Sequence, residues 1–170
     1  MKKKSNLTES IEDYLEAIYN LEKINKVSRV KDIALKLGVQ RGSVTGALKQ
    51  LNEKGLINYK PYGFITLTSR GKKIAKEITR RHNILKDFLY RVVQLEADQA
   101  EATACRMEHA VDETSIDKLV LFIDFVDNCP RTGDDWIGSF KKYCATGNHE
   151  WEKCNDCIIE CKKRHDKKEV

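Results

Sequence analysis

The chain has 170 residues, of which 41% are hydrophobic and 34% are charged, a balance typical of a globular protein with wide solvated faces. No apolar stretch approaches the roughly 20 residues that span a bilayer, and the acidic amphipathic segment after the basic start is unlike a signal peptide. We therefore expect a cytoplasmic protein without a membrane partner. The net charge of +5 is unevenly placed, because residues 26–81 carry 14 Lys and Arg against 3 Asp and Glu, whereas residues 82–135 carry 5 against 12. This pattern predicts a nucleic-acid surface joined to a module with a different task.

The amino-terminal third predicts three helices. The first is indicated by apolar residues that recur every three to four positions, namely Leu7, Ile11, Tyr14, Ile18 and Leu21. A second, short helix is expected after Ser28, which we predict as its cap, and Gly38 ends it. The third helix then runs to about Lys54 and is followed by Gly55.

A β-hairpin is predicted next, because two short alternating segments, residues 56–60 and 64–67, flank a turn that contains Pro61 and Gly63. A helix, a helix-turn-helix and a hairpin in this order predict a winged helix-turn-helix DNA-binding domain with a small β-hairpin wing, over residues 1–70. The fold class is therefore mainly α.

The second half predicts an all-helical dimerisation domain over residues 71–128. A long fourth helix is expected from Thr68 or Ser69 to about Val92, a fifth from Ala97 to Val111, and a sixth from Ser115. The sixth helix is apolar on nearly every side, so it needs burial against a partner subunit, and we expect a homodimer.

The composition changes after residue 128. Cys and aromatic residues follow without helical periodicity until about Glu152, and a basic tail over residues 162–168 is expected to be frayed. Residues 129–170 are therefore predicted to form a short Cys-rich C-terminal extension.

A helix-turn-helix inserts its second helix into the major groove, with the first residues of that helix nearest the bases. The residues expected to read bases or allow close approach are Gln40, Arg41, Gly42, Ser43 and Thr45. The cations expected to contact phosphates are Lys31, Lys49, Lys60 and Arg70. The predicted partner is double-stranded DNA.

The run that starts at Cys105 predicts a metal site. Cys105, Glu108 and His109 have the i, i+3, i+4 spacing that places side chains on one face of a helix, and Glu101 lies one turn earlier. Carboxylates, imidazole and one thiolate suit a first-row divalent ion such as Mn²⁺ or Fe²⁺, and the thiolate favours Fe²⁺.

Two further groups of residues join this prediction from upstream. Asp13 and Glu16 repeat the i, i+3 spacing on the first helix, opposite its apolar stripe, and Glu12 is expected on the same polar face. His82 falls between the two acidic groups in sequence. A metal site whose ligands flank a DNA reader indicates a metal-controlled switch.

Five ordered motifs across about residues 5–128 resemble the family of the diphtheria toxin repressor and the manganese transport regulator. The motifs are Glu12–Glu16, Val44–Thr45, Leu67–Gly71, Arg81–His82 and Cys105–His109. The resemblance implies a homodimeric repressor that binds a palindromic operator when its metal co-repressor, Fe²⁺ or Mn²⁺, is present.

The resemblance also implies ligand sets. The primary site corresponds to Asp13, Cys105, Glu108 and His109, and a second, nearby site uses His82 and Glu16, with Glu101 as a further member. Iron-responsive members of the family pair Met with Cys at the positions of Asp13 and Cys105, whereas manganese-responsive members pair Asp with a carboxylate. This chain is a hybrid, so the metal preference stays open. Lys86 stands where iron-type members offer a carboxylate.

The extension carries five cysteines that form a candidate second metal or cluster site, with His149 and His165 as alternative ligands. These cysteines are Cys129, Cys144, Cys154, Cys157 and Cys161. Their spacing fits a structural Zn²⁺ site, an iron–sulfur cluster or a redox thiol set. The alternative function is therefore a winged-helix regulator that senses redox state or an iron–sulfur cluster through this extension.

A third function class is a metallohydrolase that uses the carboxylate and histidine set. No α/β scaffold that would form a substrate pocket is evident in the sequence, and the basic helix-turn-helix would have no role in such an enzyme. We therefore predict that the protein is not an enzyme.

Overall fold

The computed structural model describes residues 7–61, 63–128, 134–148 and 154–166. Within these ranges the chain forms eight α-helices and a two-stranded hairpin, and none of the helices is both long and apolar enough to cross a bilayer. The chain divides into two compact units, Met1–Asn83 with Cys105–Ala110, and Ile84–Ala104 with Val111–Val170. The predicted domain boundaries at residues 70 and 128 stay predictions. The first division between the two compact units falls within the fourth helix, after Asn83.

The first unit begins with the three expected helices, α1 (Glu9–Asn25), α2 (Val30–Leu37) and α3 (Arg41–Glu53). Each ends where the sequence supplies a residue that leaves helical geometry. Lys26 follows α1 with φ of 64°, and Gly38 follows α2 with φ of 66°. A glycine adopts this left-handed conformation without the steric cost of a Cβ atom.

The predicted wing is present as β1 (Ile57–Asn58) and β2 (Thr66–Leu67), which pair antiparallel. Ser28 extends this hairpin, because its backbone forms a bridge with Ile65 and its hydroxyl donates to the Ile18 carbonyl at 3.3 Å. The prediction that Ser28 caps α2 is therefore wrong, and Arg29 occupies that position. Ser28 is fully buried, and the bridge satisfies its backbone groups.

One hydrophobic core holds α1, α2, α3 and the hairpin together. Its fully buried members come from all three helices and from the hairpin region, and include Leu15, Ile18, Ile33, Val44, Leu48, Leu51, Leu56 and Ile65. Full burial of one such side chain is worth about 1.5–3 kcal/mol. The core therefore fixes the DNA-reading helix α3 against α1, the helix that carries the predicted metal ligands.

Gly71 lies in the first turn of α4 (Ser69–Asp87), against the hairpin. A Cβ atom there would lie 1.9 Å from the backbone oxygen of Leu56, so we expect Gly71→Ala to lower the free energy of unfolding by at least about 1–3 kcal/mol. Gly46→Ala on α3 is the matched control, because nothing lies within 4 Å of its added Cβ. Urea denaturation of both variants measures the difference, and equal stabilities would contradict the close approach.

The helices after α4 differ from the predictions mainly at their ends. A π-helical turn (Phe88–Val92) continues α4, and α5 (Ala97–Met107) ends four residues earlier than predicted. α6 (Glu113–Asn128) starts two residues before Ser115, because Asp112 accepts a hydrogen bond from the Ser115 backbone at 3.0 Å and so caps the helix. In the second unit, α6 packs on the π-helical turn through Phe88 and Phe122, whose ring centroids are 6.1 Å apart.

The extension contains helices that the sequence did not predict. α7 (Asp134–Thr146) lies in the segment expected to lack helical periodicity, and α8 (Cys154–Asp166) reaches into the tail expected to be frayed. On α7, Trp136 and Phe140 stack with ring centroids 6.5 Å apart. This i, i+4 aromatic pair stabilises a helix, and it is the periodic signal that the sequence prediction missed.

Candidate metal centre and DNA interface

Helix α1 presents three carboxylates at successive and i+3 or i+4 positions. Glu12 is buried, with 6% of its surface exposed, whereas Asp13 and Glu16 are half-buried. The neighbouring apolar residues of α1 pack into the core and fix the rotation of the helix, which leaves Glu12 buried and the other two acids partly accessible. Burial of a carboxylate is unfavourable unless a cation or a hydrogen-bond donor compensates it.

Further ligand-type side chains come from α4 and from the turn that follows α5. His82 lies on α4 and is 8% exposed, and Glu108 and His109 follow directly after the last helical residue, Met107. The Ala110 backbone donates to the Met107 carbonyl at 3.0 Å, which closes this turn. Because Glu108 and His109 are consecutive in a turn, their side chains reach the acids of α1 together.

Two groups of ligand atoms result, and both contain Glu108. Asp13, Glu108 and His109 form the first group, Glu16, His82 and Glu108 form the second, and within each group the ligand atoms all lie within 4.8 Å of one another. His109 Nε2 lies 3.0 Å from Asp13 Oδ1 and 3.5 Å from Glu108 Oε1. His82 Nδ1 lies 2.6 Å from Glu108 Oε2. Each oxygen of Glu108 therefore faces a different group.

Glu108 itself shows that the arrangement fits a cation. Its side chain is completely buried, and within the part of the chain that the structure describes its Oε1 accepts no hydrogen bond. A buried carboxylate oxygen in that position is costly unless a positive charge meets it. Carboxylate and imidazole donors are those that first-row divalent ions accept. The two groups can therefore hold one or two such ions.

The charges of these groups shift the pKa values of two ligands upward. Burial and the neighbouring charge of Glu108 raise the pKa of Glu16 above its ordinary 4.5. For His109, burial acts to lower the pKa, but the hydrogen bond that its ring donates to Glu12 and the charges of Glu108, Asp13 and Glu12 together raise the pKa above 6.5. Without a bound cation, the site therefore favours bound protons.

We expect the metal-free protein to lose stability as the pH rises. Both shifts mean that the folded state binds protons more tightly than the unfolded chain. The contribution of Glu16 to stability is therefore lost as the pH rises from 4.5 to its raised pKa. The contribution of His109 is lost as the pH rises from 6.5 to its raised pKa. Urea denaturation in chelator between about pH 6 and pH 8 measures the slope. The slope of a His109→Ala variant should be shallower, and an identical slope would contradict the assignment.

Two predicted ligands lie elsewhere. Glu101 on α5 forms an ion pair with Lys86 at 2.7 Å, and both side chains are about half exposed. Cys105 is exposed, and of the residues described it is in neither group of ligand atoms. The predicted i, i+3, i+4 face assumed a helix through Val111, but α5 ends at Met107, so Cys105 does not share a helical face with Glu108 and His109. The assignment of Glu101 and Cys105 as metal ligands stays a prediction.

Glu12 is the site residue that the sequence prediction missed. It was expected on the solvated face of the first helix, but it is buried, and His109 Nδ1 lies 2.9 Å from its Oε2. Glu12 lies three residues before Leu15 and seven before Tyr19, so it shares a helical face with two buried residues. This spacing was the signal available in the sequence. An acid on a buried face requires a cationic or donor partner.

The residues predicted to bind DNA lie on the surface of the first unit. All nine are exposed except Thr45, which is half-buried and donates its hydroxyl to the Arg41 carbonyl at 3.0 Å. Gln40 precedes α3, and Arg41 is its first residue. Exposed polar residues at the start of the second helix of a helix-turn-helix are the arrangement that base reading requires.

A cleft of about 720 Å³ separates the start of α3 from the wing. Its lining includes four cations, namely Arg29, Lys31, Arg41 and Lys49. The Arg29 guanidinium lies 5.0 Å from the ring centroid of Phe64, over the exposed wing residue. Arg29 and Phe64 were not predicted to take part in the interface, and the cationic lining matches the charge of a phosphate backbone.

The candidate site in the extension is only partly described. Cys144 on α7 is exposed, and Cys161 on α8 is half-buried. Cys129 and His149 lie outside the described residues, as do the side chains of Cys154, Cys157 and His165. The site in the extension therefore stays a prediction.

Comparison with protein families gives two adjacent matches. Residues 6–65 match the model "Iron dependent repressor, N-terminal DNA binding domain", and residues 68–137 match "Iron dependent repressor, metal binding and dimerisation domain". The two matches meet at the end of the wing. Residues 138–170 lie beyond both.

Individual relatives agree with these matches. An uncharacterized HTH-type transcriptional regulator of Methanocaldococcus jannaschii is 35% identical over 119 residues, which are 69% of this chain and 95% of the relative. The HTH-type transcriptional regulator MntR of Bacillus subtilis is 37% identical over 112 residues, or 66% of this chain and 78% of the relative. A solved structure of a manganese-dependent transcriptional repressor in complex with manganese matches with a TM-score of 0.60 and 27% identity. That match covers 68% of this chain and about half, 53%, of the solved chain.

Proposed function

Since the chain belongs to the family of iron-dependent repressors, which are metal-dependent transcriptional regulators, we propose that it binds an operator as a homodimer when Mn²⁺ or Fe²⁺ is bound. The observation that carries this proposal is the convergence of Asp13 and Glu16 of α1 with His82, Glu108 and His109 around a buried carboxylate oxygen that lacks a hydrogen bond. The expected operator is a palindrome, because a twofold dimer presents two equal recognition helices.

The ligands we assign are those of the two groups that share Glu108. Asp13 and His109 complete one group, and Glu16 and His82 complete the other. A bound divalent cation supplies positive charge that neutralises these carboxylates. The chain supplies the arrangement, because the ligands come from α1, α4 and the turn after α5, which are far apart in sequence.

We infer that Mn²⁺ is the better of the two candidate ions. Both groups offer only oxygen and nitrogen ligands, and carboxylates suit Mn²⁺, whereas the thiolate that favoured Fe²⁺ belongs to the exposed Cys105. A solved relative supports this choice, since it is a manganese-dependent transcriptional repressor in complex with manganese.

The coupling between metal and DNA runs through α1. Without a cation, Glu16 and Asp13 both face Glu108, and like charges weaken the attachment of α1. The same helix packs on α2 and α3, and Glu22 near its end accepts a hydrogen bond from the Leu67 backbone of β2 at 2.5 Å. A cation that fixes α1 therefore also fixes the recognition helix and the wing. Such coupling is reciprocal, so operator DNA must tighten metal binding by the same factor.

Helix α6 is the face we assign to the dimer. It exposes 60% of Leu121 and 58% of Phe125, and Phe122 beside them is also exposed. An apolar face of this kind needs a covering partner in water. The matched metal-binding and dimerisation model spans this helix.

The alternative of a redox or iron–sulfur sensor gains no support from the family matches, which are to the two domains of iron-dependent repressors and end at residue 137. Family members regulate transcription, which is not catalysis. If the alternative were correct, Cys154 and Cys157 variants would lose the response to their signal, and Asp13 variants would keep it.

The deciding experiment is an anaerobic selection of binding sites from a random duplex pool with Mn²⁺, with Fe²⁺ and with chelator. Enrichment of a palindrome with metal alone, and more strongly with Mn²⁺, is the expected result. Equal enrichment in chelator would reject the metal switch.

Asp13→Ala should lose most of the metal-stimulated DNA binding but keep the fold. Asp13 contributes a ligand atom beside His109 Nε2, and its side chain is 38% exposed, so truncation opens no core cavity. Mn²⁺ titration with an operator-binding readout, together with circular dichroism, measures both effects. A variant that responds to Mn²⁺ like the wild type would remove Asp13 from the ligand set.

A further inference from the structure

Glu12 is a buried carboxylate of α1 that stands outside both groups of ligand atoms among the described residues. Its Oε2 lies 2.9 Å from His109 Nδ1 and 3.7 Å from Arg81 Nη2. The opposite ring nitrogen of His109, Nε2, faces Asp13 and Glu108. The imidazole is therefore held between two consecutive residues of one helix, with Glu12 on one side and Asp13 on the other.

We propose that Glu12 is a positioning residue for the metal centre, which holds the proton of His109 on Nδ1 so that the Nε2 lone pair points at the cation. The inference rests on the proposed function, because it assigns a role within the same site. In this role Glu12 does not itself contact the metal and acts by orienting His109.

The chemistry of the pair fixes the direction of the hydrogen bond. An ionised carboxylate only accepts hydrogen bonds, so the contact between Glu12 and His109 requires the hydrogen to be on Nδ1. By the same argument Nε2, 3.0 Å from Asp13 Oδ1, donates a hydrogen there while no cation is bound. A cation would replace this Nε2 hydrogen, and the neutral ring would then keep its one hydrogen on Nδ1 and offer the Nε2 lone pair. Histidine ligands of metals are commonly oriented by a carboxylate in this way.

Arg81 is a second partner of the Glu12 carboxylate. Its guanidinium is mostly buried and lies beside the carboxylate oxygen that binds His109. An ion pair at this distance holds the carboxylate in place beside the imidazole. The three residues thus form a chain from Arg81 of α4, through Glu12 of α1, to His109.

The neighbouring ligands explain why the tautomer needs to be held. If the hydrogen were on Nε2, that nitrogen would donate to Asp13 or Glu108, and the ring would compete with a cation for the same oxygens. Free histidine in water prefers the Nε2–H tautomer. Loss of the Glu12 acceptor therefore shifts the ring towards the form that cannot bind metal.

The test compares Glu12→Ala and Glu12→Gln with Glu9→Ala, an exposed carboxylate of the same helix. We expect Glu12→Ala to weaken Mn²⁺ binding by about 10–100-fold, the range found for partners behind metal ligands, and Glu9→Ala to leave it within about twofold. Glu12→Gln should restore part of the affinity, since its amide oxygen still accepts the Nδ1 hydrogen.

A second readout separates positioning from mere stability. The ¹⁵N shifts of the His109 ring, measured in metal-free protein above the pKa of His109, should report Nδ1–H in the wild type and in Glu9→Ala, and Nε2–H in Glu12→Ala. Nε2–H in the wild type, or Mn²⁺ affinity of Glu12→Ala equal to the wild type, would overturn the inference. A wild type that binds Mn²⁺ without any change in DNA binding would instead overturn the proposed function and leave the role of Glu12 intact.

Discussion

Glu108→Gln is expected to abolish metal-stimulated DNA binding, with Mn²⁺ affinity lowered by more than about 100-fold, because a direct ligand should matter more than the residues behind it. Glu108 is the one residue common to both groups of ligand atoms found in the described part of the chain, and its two oxygens face different groups. Glutamine keeps the volume of the side chain but replaces one oxygen by an NH₂ group that repels a cation. Isothermal titration with Mn²⁺ and an operator-binding assay measure the loss.

Glu101→Gln provides the matched comparison, because the chemical change is the same but Glu101 is half-exposed and paired with Lys86. An exposed pair of this kind contributes little, so we expect near-normal Mn²⁺ binding and less than about 1 kcal/mol change in stability. If Glu101→Gln lost metal binding as severely as Glu108→Gln, Glu101 would be a ligand as the sequence predicted. If Glu108→Gln kept its response, the centre would lie elsewhere.

The winged helix could be predicted because its signals are local. The apolar spacing of α1, the glycine after α2 and the Pro/Gly turn of the wing each specify structure within a few residues. The same holds for the surface position of Gln40 and Arg41, since the start of a second helix in this motif is exposed by its packing. These predictions needed no knowledge of contacts between distant segments.

The sequence suggested the candidate metal ligands but not how they are arranged in space. The ligand types of Asp13, Glu16, His82, Glu108 and His109 were evident, whereas the end of α5 at Met107 was not, because no glycine or proline marks it. The partnership of Glu12 with His109 joins residues 97 positions apart. The spacing of residues indicates which of them share one face of a helix. It does not indicate which side chain from a distant segment packs against that face.

Arg41→Ala is expected to relax operator specificity without affecting metal binding. Arg41 is the exposed first residue of α3 and lines the cleft between α3 and the wing, whereas the ligand groups lie on α1, α4 and the turn after α5. Loss of a bidentate arginine–base contact costs about 1–3 kcal/mol, and the loss falls on one base pair of each half-site. Repeating the duplex selection with the variant should show degeneracy at that position alone.

Two further variants separate base reading from phosphate contact. Arg41→Lys keeps the charge but lacks the planar fork, so it should share the relaxed specificity of Arg41→Ala while retaining more non-specific affinity. Lys60→Ala, at an exposed position two residues after β1, should weaken binding to all sequences equally and reduce the salt dependence by the equivalent of about one phosphate contact. If Arg41→Ala behaved like Lys60→Ala, Arg41 would position the protein on the backbone, and Gln40 would be left as the main base-reading residue at the start of α3.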